Sequence, residues 1–305
     1  MNILFRVDSS SIIGTGHVMR DLVLASQFKK SNVIFATQDL KGNINCQIQE
    51  AGYKIKILKS NDIDEINELI SKHNIEMIVI DHYEINCKYE KELKNKNEAL
   101  TIFIVDDKYE KHHCDILLNH NISANKKRYK VLVPKNCEVR CGSKYTLLRD
   151  EFLKEKKKSQ KNIYLREDKS RKKKIFLAMG GADTAHLNIK ILKVLKNFKN
   201  IKVYILTTSA NKNLNDLKKY SQNKDWIGLH VNSNKIAKFM RKSDFAIITP
   251  SVIANELLFM EKKFIAIQTA TTNQNEMSKY LKENNYSILN SFDKKKLTNH
   301  VKDLV

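Results

Sequence analysis

Short apolar runs rich in β-branched residues alternate with helix-like stretches along this chain, and the alternation stops once and then begins again. Asn2–Asp8, Val33–Thr37, Lys54–Leu58, Glu76–Asp81 and Leu100–Asp106 read as strands. The stretches His17–Lys30, Gly42–Ala51, Ile63–Lys72 and Cys87–Lys94 between them read as helices. Single strands separated by helices cannot form hairpins, so they are expected in a parallel sheet with helices on both faces. After Arg149-Asp150-Glu151-Phe152 the pattern gives way to a charged stretch without clear periodicity, expected to be a linker over 153–172. Strands then resume at Lys173–Met179, Ile201–Thr207, Gly228–Val231, Asp244–Thr249 and Lys263–Gln268. Helices are expected near Ala185–Leu195, Asn213–Tyr220, Asn234–Arg241, Ser251–Met260, Asn275–Lys282 and Lys294–Leu304.

The reading is therefore α/β, with two doubly wound, Rossmann-like domains at 1–152 and 153–305. A chain of 305 residues is also longer than one core usually supports. Such sheets bind ligands at the carboxyl ends of their strands, which directs attention to those ends and to a cleft between the domains.

Composition narrows the function classes. No apolar run approaches the roughly 18 residues that cross a bilayer, and the charged opening strand does not resemble a signal peptide, so a cytoplasmic protein is expected. The five cysteines are scattered and include no CxxC pair, which argues against a disulfide framework or a zinc knuckle. A net charge of +21 raises nucleic acid or acidic lipid as partners. The lysines, however, are spread over almost every segment, and the dense runs Lys154–Lys158 and Arg171–Lys174 lack interleaved aromatics apart from Tyr164. A solvated linker accounts for them, and neither nucleic acid nor membrane insertion is expected.

Four segments carry candidate chemistry. Gly14-Thr15-Gly16-His17 follows the first strand and opens a helix, where glycines let backbone amides approach an anion or sugar. It lacks the third glycine of a dinucleotide fingerprint and the lysine of a phosphate-binding loop. It leaves His17 at the mouth of a helix, as a candidate base or as a cap. Met179-Gly180-Gly181-Ala182-Asp183-Thr184 repeats the strand, glycine, helix order, and suits either a phosphate or a tight turn. In Thr249-Pro250-Ser251-Val252-Ile253-Ala254-Asn255-Glu256, Ser251 is a candidate cap and phosphate ligand. There the amides near Ile253 and Ala254 are candidates for a pyrophosphate, and Glu256 for ribose hydroxyls; an ordinary helix start explains the pattern nearly as well. In Ile80-Asp81-His82-Tyr83, Tyr83 is a candidate substrate contact and Asp81 an orienting group. The run His112-His113-Cys114-Asp115 has no metal-ligand spacing, and no metal is expected.

Together with Arg6-Val7-Asp8-Ser9-Ser10 and Tyr145-Thr146-Leu147-Leu148-Arg149-Asp150-Glu151-Phe152, these segments resemble the UDP-2,4-diacetamido-2,4,6-trideoxy-β-L-altropyranose hydrolases of pseudaminic acid biosynthesis. The Ser251–Glu256 block is also similar to the donor-binding segment of MurG-like GT-B glycosyltransferases. The resemblance implies a GT-B-like architecture, with UDP held by the C-terminal domain. It implies His17 as the water-activating base, Tyr83 and Asn255 at the sugar, and Val231 where a strand-end backbone meets uracil. It also puts Arg6, Asp8, Gly14, Gly16, Arg20, Gly180 and Gly181 among the substrate-binding positions. Thr249-Pro250 departs from the glycine that GT-B donor loops often carry.

The expected reaction is inverting, metal-independent hydrolysis with C–O cleavage, by a monomer needing no cofactor. UDP is a good leaving group, and a helix start stabilises its added charge. The competing readings are a glycosyltransferase using the same UDP-sugar donor and a basic nucleotide- or polyanion-binding protein.

Overall fold

The strands assemble into two all-parallel sheets, one in each of the units Met1–Leu147 and Leu148–Val305. The computed structural model describes residues 1–161, 171–270 and 274–305. In the first unit the elements are β1 (Asn2–Val7), α1 (Gly16–Ala25), β2 (Asn32–Gln38), α2 (Asn45–Glu50), β3 (Lys54–Leu58) and α3 (Ile63–His73). They continue as β4 (Met77–Asp81), α4 (Cys87–Lys96), β5 (Thr101–Val105), β6 (Ile116–Asn119) and β7 (Glu138–Cys141). The sheet order is β3-β2-β1-β4-β5-β6-β7, so the winding reverses between β1 and β4. That reversal opens a crevice at their carboxyl ends. β1 shows why both faces are covered: Ile3, Phe5 and Val7 join one buried cluster while Leu4 joins the other.

The second unit runs α5 (Asp150–Lys161), β8 (Lys173–Ala178), α6 (Asn188–Leu195), β9 (Ile201–Thr207), α7 (Leu214–Ser221), β10 (Ile227–Val231) and α8 (Ile236–Lys242). It ends with β11 (Phe245–Ile248), α9 (Val252–Phe259), β12 (Lys263–Ile267), α10 (Asn275–Glu283), β13 (Ser287–Leu289) and α11 (Lys294–Lys302). Its order β10-β9-β8-β11-β12-β13 places the equivalent reversal between β8 and β11.

Three strands escaped the sequence reading: β6, β7 and β13 have only four, four and three residues. The expected linker over 153–172 is also corrected. Residues 153–161 continue α5, and 162–170 lie outside the described residues. The charges there do not simply face water. Arg241 Nε donates to Glu155 Oε2 at 2.5 Å, Lys156 Nζ donates to the Phe259 carbonyl at 2.8 Å, and Phe152 is fully buried. One apolar anchor and two paired charges thus fix a helix whose sequence looks uniformly polar.

Candidate active site

β1 and β4 are neighbours in register, Arg6 beside Ile80 and Val7 beside Asp81, so the residues just beyond them converge at the sheet edge. Gly14, at φ +88°, turns the chain into α1. The loop before it is closed by the Gly14 amide donating to the Ser10 carbonyl at 2.8 Å. Ser10 Oγ accepts the amides of Ile12 and Ile13 at 3.1 and 2.9 Å. The loop therefore holds its own backbone, and Ile12 stands 95% exposed at its tip. Gly16 begins the helix and delivers His17 into its first turn.

His17 does not cap α1. Its Nδ1 lies 2.7 Å from Asp81 Oδ1, and its ring meets Tyr83 edge-on at 4.6 Å between centroids. Arg20, one turn further along the same face, clamps the carboxylate, with Nε 2.5 Å from Asp81 Oδ2 and one terminal nitrogen 2.5 Å from Oδ1. Its other terminal nitrogen donates to Asp107 Oδ2 at 2.8 Å, and the Tyr83 hydroxyl donates to Asp107 Oδ1 at 3.2 Å. Burial opposes ionisation of Asp81, but Arg20 and His17 outweigh it and hold this carboxyl well below the ordinary range. An ionised Asp81 accepts from Nδ1–H, so the free lone pair of His17 sits on Nε2; the ring's hydrogen-bond contacts among the described residues are all at Nδ1.

Two further titratable groups border this cluster. Burial, then the charge of Asp81, pushes the Asp21 carboxyl well above its ordinary range. Burial, then Arg20, brings His120 down to about 3, so His120 is neutral near pH 7.

Arg6 and Asp8 engage each other and their protein neighbours. Both are fully buried: Arg6 donates to Asp8 at 2.8 and 2.7 Å and to Asn61 Oδ1 at 2.6 Å. Asp8 also accepts the Gln38 amide at 2.7 Å and lies 3.1 Å from His82 Nε2. In this structure the two residues form an internal brace that ties β1, β2 and the residue after β4.

In the second unit, Gly180 adopts φ +78° after β8, and Gly181 lies so close to Thr208 that a Cβ would meet Cγ2 at 2.8 Å. The Gly181 carbonyl accepts from Thr207 Oγ1 at 2.9 Å and Thr208 Oγ1 at 3.0 Å. Asp183 accepts the Leu187 and Asn188 amides at 2.9 and 3.1 Å and thereby caps α6. Val231 ends the edge strand β10, beside Thr207.

Ser251 stands at the N-cap of α9, yet its hydroxyl caps no amide of that helix. The Ala254 amide, expected to face a pyrophosphate, instead donates to the Ser251 carbonyl at 2.8 Å; Ile253 is the next residue back in that turn. Asn255, expected at a sugar, is 2% exposed with its side chain in the interior. Glu256 Oε1 is 3.1 Å from Arg149, which also pairs with Glu151 at 2.7 Å. Burial raises the Glu256 carboxyl to about 6, with Arg149 acting against it.

The structure brings together His17, Asp81 and Tyr83, all named from the sequence, and adds Asp107, His120 and the pairing of Arg149 with Glu256, which the sequence reading did not include. A signal for Asp107 was present, because Asp8, Asp81 and Asp107 each lie at or just after a strand end on the same edge. Among the described residues there is no cluster of histidine, cysteine, aspartate and glutamate suited to a metal ion. Nor is any helix there long and apolar enough to cross a membrane.

No protein-family model matches the chain. The UDP-2,4-diacetamido-2,4,6-trideoxy-β-L-altropyranose hydrolase of Campylobacter jejuni is 39% identical over 288 residues, covering 94% of this chain and 98% of that protein. An uncharacterized protein of Methanocaldococcus jannaschii is 29% identical over 304 residues, but the match spans only 60% of its length. Among solved structures, Acinetobacter baumannii MurG aligns at a TM-score of 0.65 and 11% identity, covering 99% of this chain and 90% of MurG. UDP-GlcNAc 2-epimerase of Methanocaldococcus jannaschii, in complex with UDP-GlcNAc and UDP, aligns at 0.63 and 10% identity, covering 100% and 92%. These structural likenesses identify a GT-B-like fold. The full-length match in sequence identifies the family: the chain belongs to the UDP-2,4-diacetamido-2,4,6-trideoxy-β-L-altropyranose hydrolases.

Proposed function

We propose that the chain hydrolyses a UDP-linked 2,4-diacetamido-2,4,6-trideoxy sugar to free sugar and UDP, with His17 as the base that activates water. The observation that carries this reading is the Asp81–His17 contact at 2.7 Å, which leaves Nε2 without a protein partner. Asp81 holds the Nδ1–H tautomer and stabilises the imidazolium formed when Nε2 takes a proton from water. The water oxygen bonds to the anomeric carbon, the bond from that carbon to the phosphate oxygen breaks, and UDP leaves with the electron pair. Attack opposite the leaving group inverts the anomeric centre. Arg20 is a positioning residue, since it acts by fixing Asp81.

The second unit is assigned to UDP. Gly180 and Gly181 give close backbone approach after β8, and the start of α9 offers its dipole to the diphosphate. Glu256 is placed at the ribose hydroxyls, with Arg149 keeping it ionised near neutral pH. Tyr83, exposed beside His17, is placed at the sugar. The activity is assigned to a cytoplasmic monomer, and a chelator is expected to leave the rate unchanged.

The test is UDP release from the altropyranose-configured UDP-sugar by wild type and His17→Leu, in labelled-oxygen water without an acceptor. Loss of the base is expected to lower turnover by about 10²–10⁴ while UDP affinity holds. The label should appear in the sugar. Label in the phosphate, or full turnover by the variant, would overturn the mechanism. Release only after an alcohol acceptor is supplied would replace hydrolysis by glycosyl transfer.

A further inference from the structure

Two cysteines that the active site does not use lie against each other in the first unit. Cys114 Sγ and Cys137 Sγ are 3.6 Å apart, although the residues are 23 positions apart in sequence. Their placement follows from the sheet: Cys114 stands two residues before β6, and Cys137 directly precedes β7. The register pairs Ile116 with Glu138, and the Glu138 amide donates to the Asp115 carbonyl at 2.9 Å. The Cys137 amide is tied to the Pro134 carbonyl at 3.0 Å, which fixes the turn that brings its thiol over Cys114.

We propose that Cys114 and Cys137 are a site of reversible oxidative modification, closing to a disulfide that staples β6 to β7 when the protein meets a peroxide. To bond, the sulfurs must approach from 3.6 Å to about 2 Å. The two thiols are unequal. Cys114 is buried, whereas Cys137 is partly open to solvent. The hydrogen bond from Cys114 lowers the Cys137 thiol's affinity for its proton, and the same contact, then burial, raises that of Cys114. His112 favours the Cys137 thiolate, while Asp115 and Glu138 oppose it.

Cys137 is therefore the attacking sulfur. Its thiolate bonds to one peroxide oxygen, the O–O bond breaks, and the departing hydroxide takes a proton to become water. The resulting sulfenic acid is attacked by the Cys114 sulfur. The S–S bond forms, the S–O bond breaks, and a second water leaves with the Cys114 proton. Two thiols lose two electrons in all, and one peroxide is reduced to two waters.

Location sets the consequence. Both cysteines precede their strands, whereas His17 and Asp81 lie at the carboxyl ends of β1 and β4 in the same parallel sheet. The staple is thus at the edge opposite the catalytic groups. It should raise thermal stability by closing the intervening loop and leave UDP release unchanged.

The test treats the reduced full-length protein with hydrogen peroxide, alkylates remaining thiols with iodoacetamide and maps the peptides by mass spectrometry. The expected result is one Cys114–Cys137 link, reversed by dithiothreitol, with Cys46, Cys87 and Cys141 alkylated or oxidised singly. The linked form should melt at a higher temperature than the reduced form. Continued alkylation of Cys114 and Cys137, or a link to another cysteine, would overturn the assignment. A link that leaves the melting temperature unchanged would overturn the staple. In Cys137→Ser, Cys114 is expected to resist peroxide, and its ready oxidation there would overturn the order of attack. None of these readouts depends on the hydrolase reading.

Discussion

At the carboxyl edge of its sheet the first unit gathers buried ionic groups, Arg6 with Asp8 and Arg20 with Asp81 and Asp107. At the same edge of the second unit stand two glycines, two threonines and an uncapped helix start, with the Arg149–Glu256 pair nearby. The contrast fits two different tasks. A base that takes a proton from water needs one tautomer in one orientation, and in a dry setting only interlocked charges hold it there. A nucleotide brings its own negative charge. Uncharged dipoles can receive it without first burying a cation, and glycines let the backbone come close.

The sharpest way to break this division is Asp81→Asn. Removing the charge while keeping the shape should lower kcat by about 10³–10⁴ through the wrong histidine tautomer. UDP affinity should not move in an isothermal titration, and a large loss of UDP affinity would show that the two tasks are not separable.

Glu256→Gln is the reciprocal experiment. Loss of a charged acceptor should weaken UDP binding by about ten- to a hundredfold, with the single-turnover rate of bound substrate nearly unchanged. Because Glu256 titrates near pH 6, wild-type affinity for UDP should fall as the solution is acidified through about 6. The glutamine variant should lack that dependence. An equal pH dependence in both proteins would remove Glu256 from the ribose.

A milder change is Gly181→Ala, whose Cβ would sit 2.8 Å from Thr208 Cγ2. Displacing the loop should destabilise the protein by about 1–3 kcal/mol and weaken UDP binding, while the single-turnover rate of bound substrate stays as in wild type. A fall in that rate would show that the two tasks are coupled.

A last effect is expected from pH alone and concerns only the first unit. Burial lowers His112, but Asp106 and Glu90 outweigh it and bring it up to about 9 from an unfolded value of 6.5. Its folded value is the higher one, so its stabilisation is complete below 6.5 and is lost as the pH rises through about 9. Hydrogen exchange should show β4 and β5 loosening across that window while β8 and β11 do not. Equal loosening of both sheets would assign the effect elsewhere.

How much of this was legible in the sequence depended on range. β1, β4, β8 and β11 were readable because each is a run of apolar residues buried on both faces. β7 was not: Glu138-Val139-Arg140-Cys141 alternates over four residues, and only Val139 is buried. α5 reads as polar because Glu155 and Lys156 find their partners more than eighty residues away. The site divided in the same way. A glycine turn before a helix announced His17, but its contact with Asp81 spans 64 positions and depends on β1 lying beside β4, which no local pattern encodes. The partners of Arg6 and Asp8 were hidden for the same reason, since Asn61, Gln38 and His82 are distant in sequence and meet them only in the fold.

The loop from Ser10 to Gly14 has a practical consequence. One serine oxygen, one short bridge and the Ser11 amide donating to the Lys41 carbonyl at 3.0 Å tie its backbone, so the side chains at its tip carry no folding duty. Ile12, almost entirely in solvent, can be randomised with little effect on stability. That position lies five residues before His17, so under the proposed mechanism it is a natural entry point for libraries that select new sugar preferences while the proposed base stays fixed.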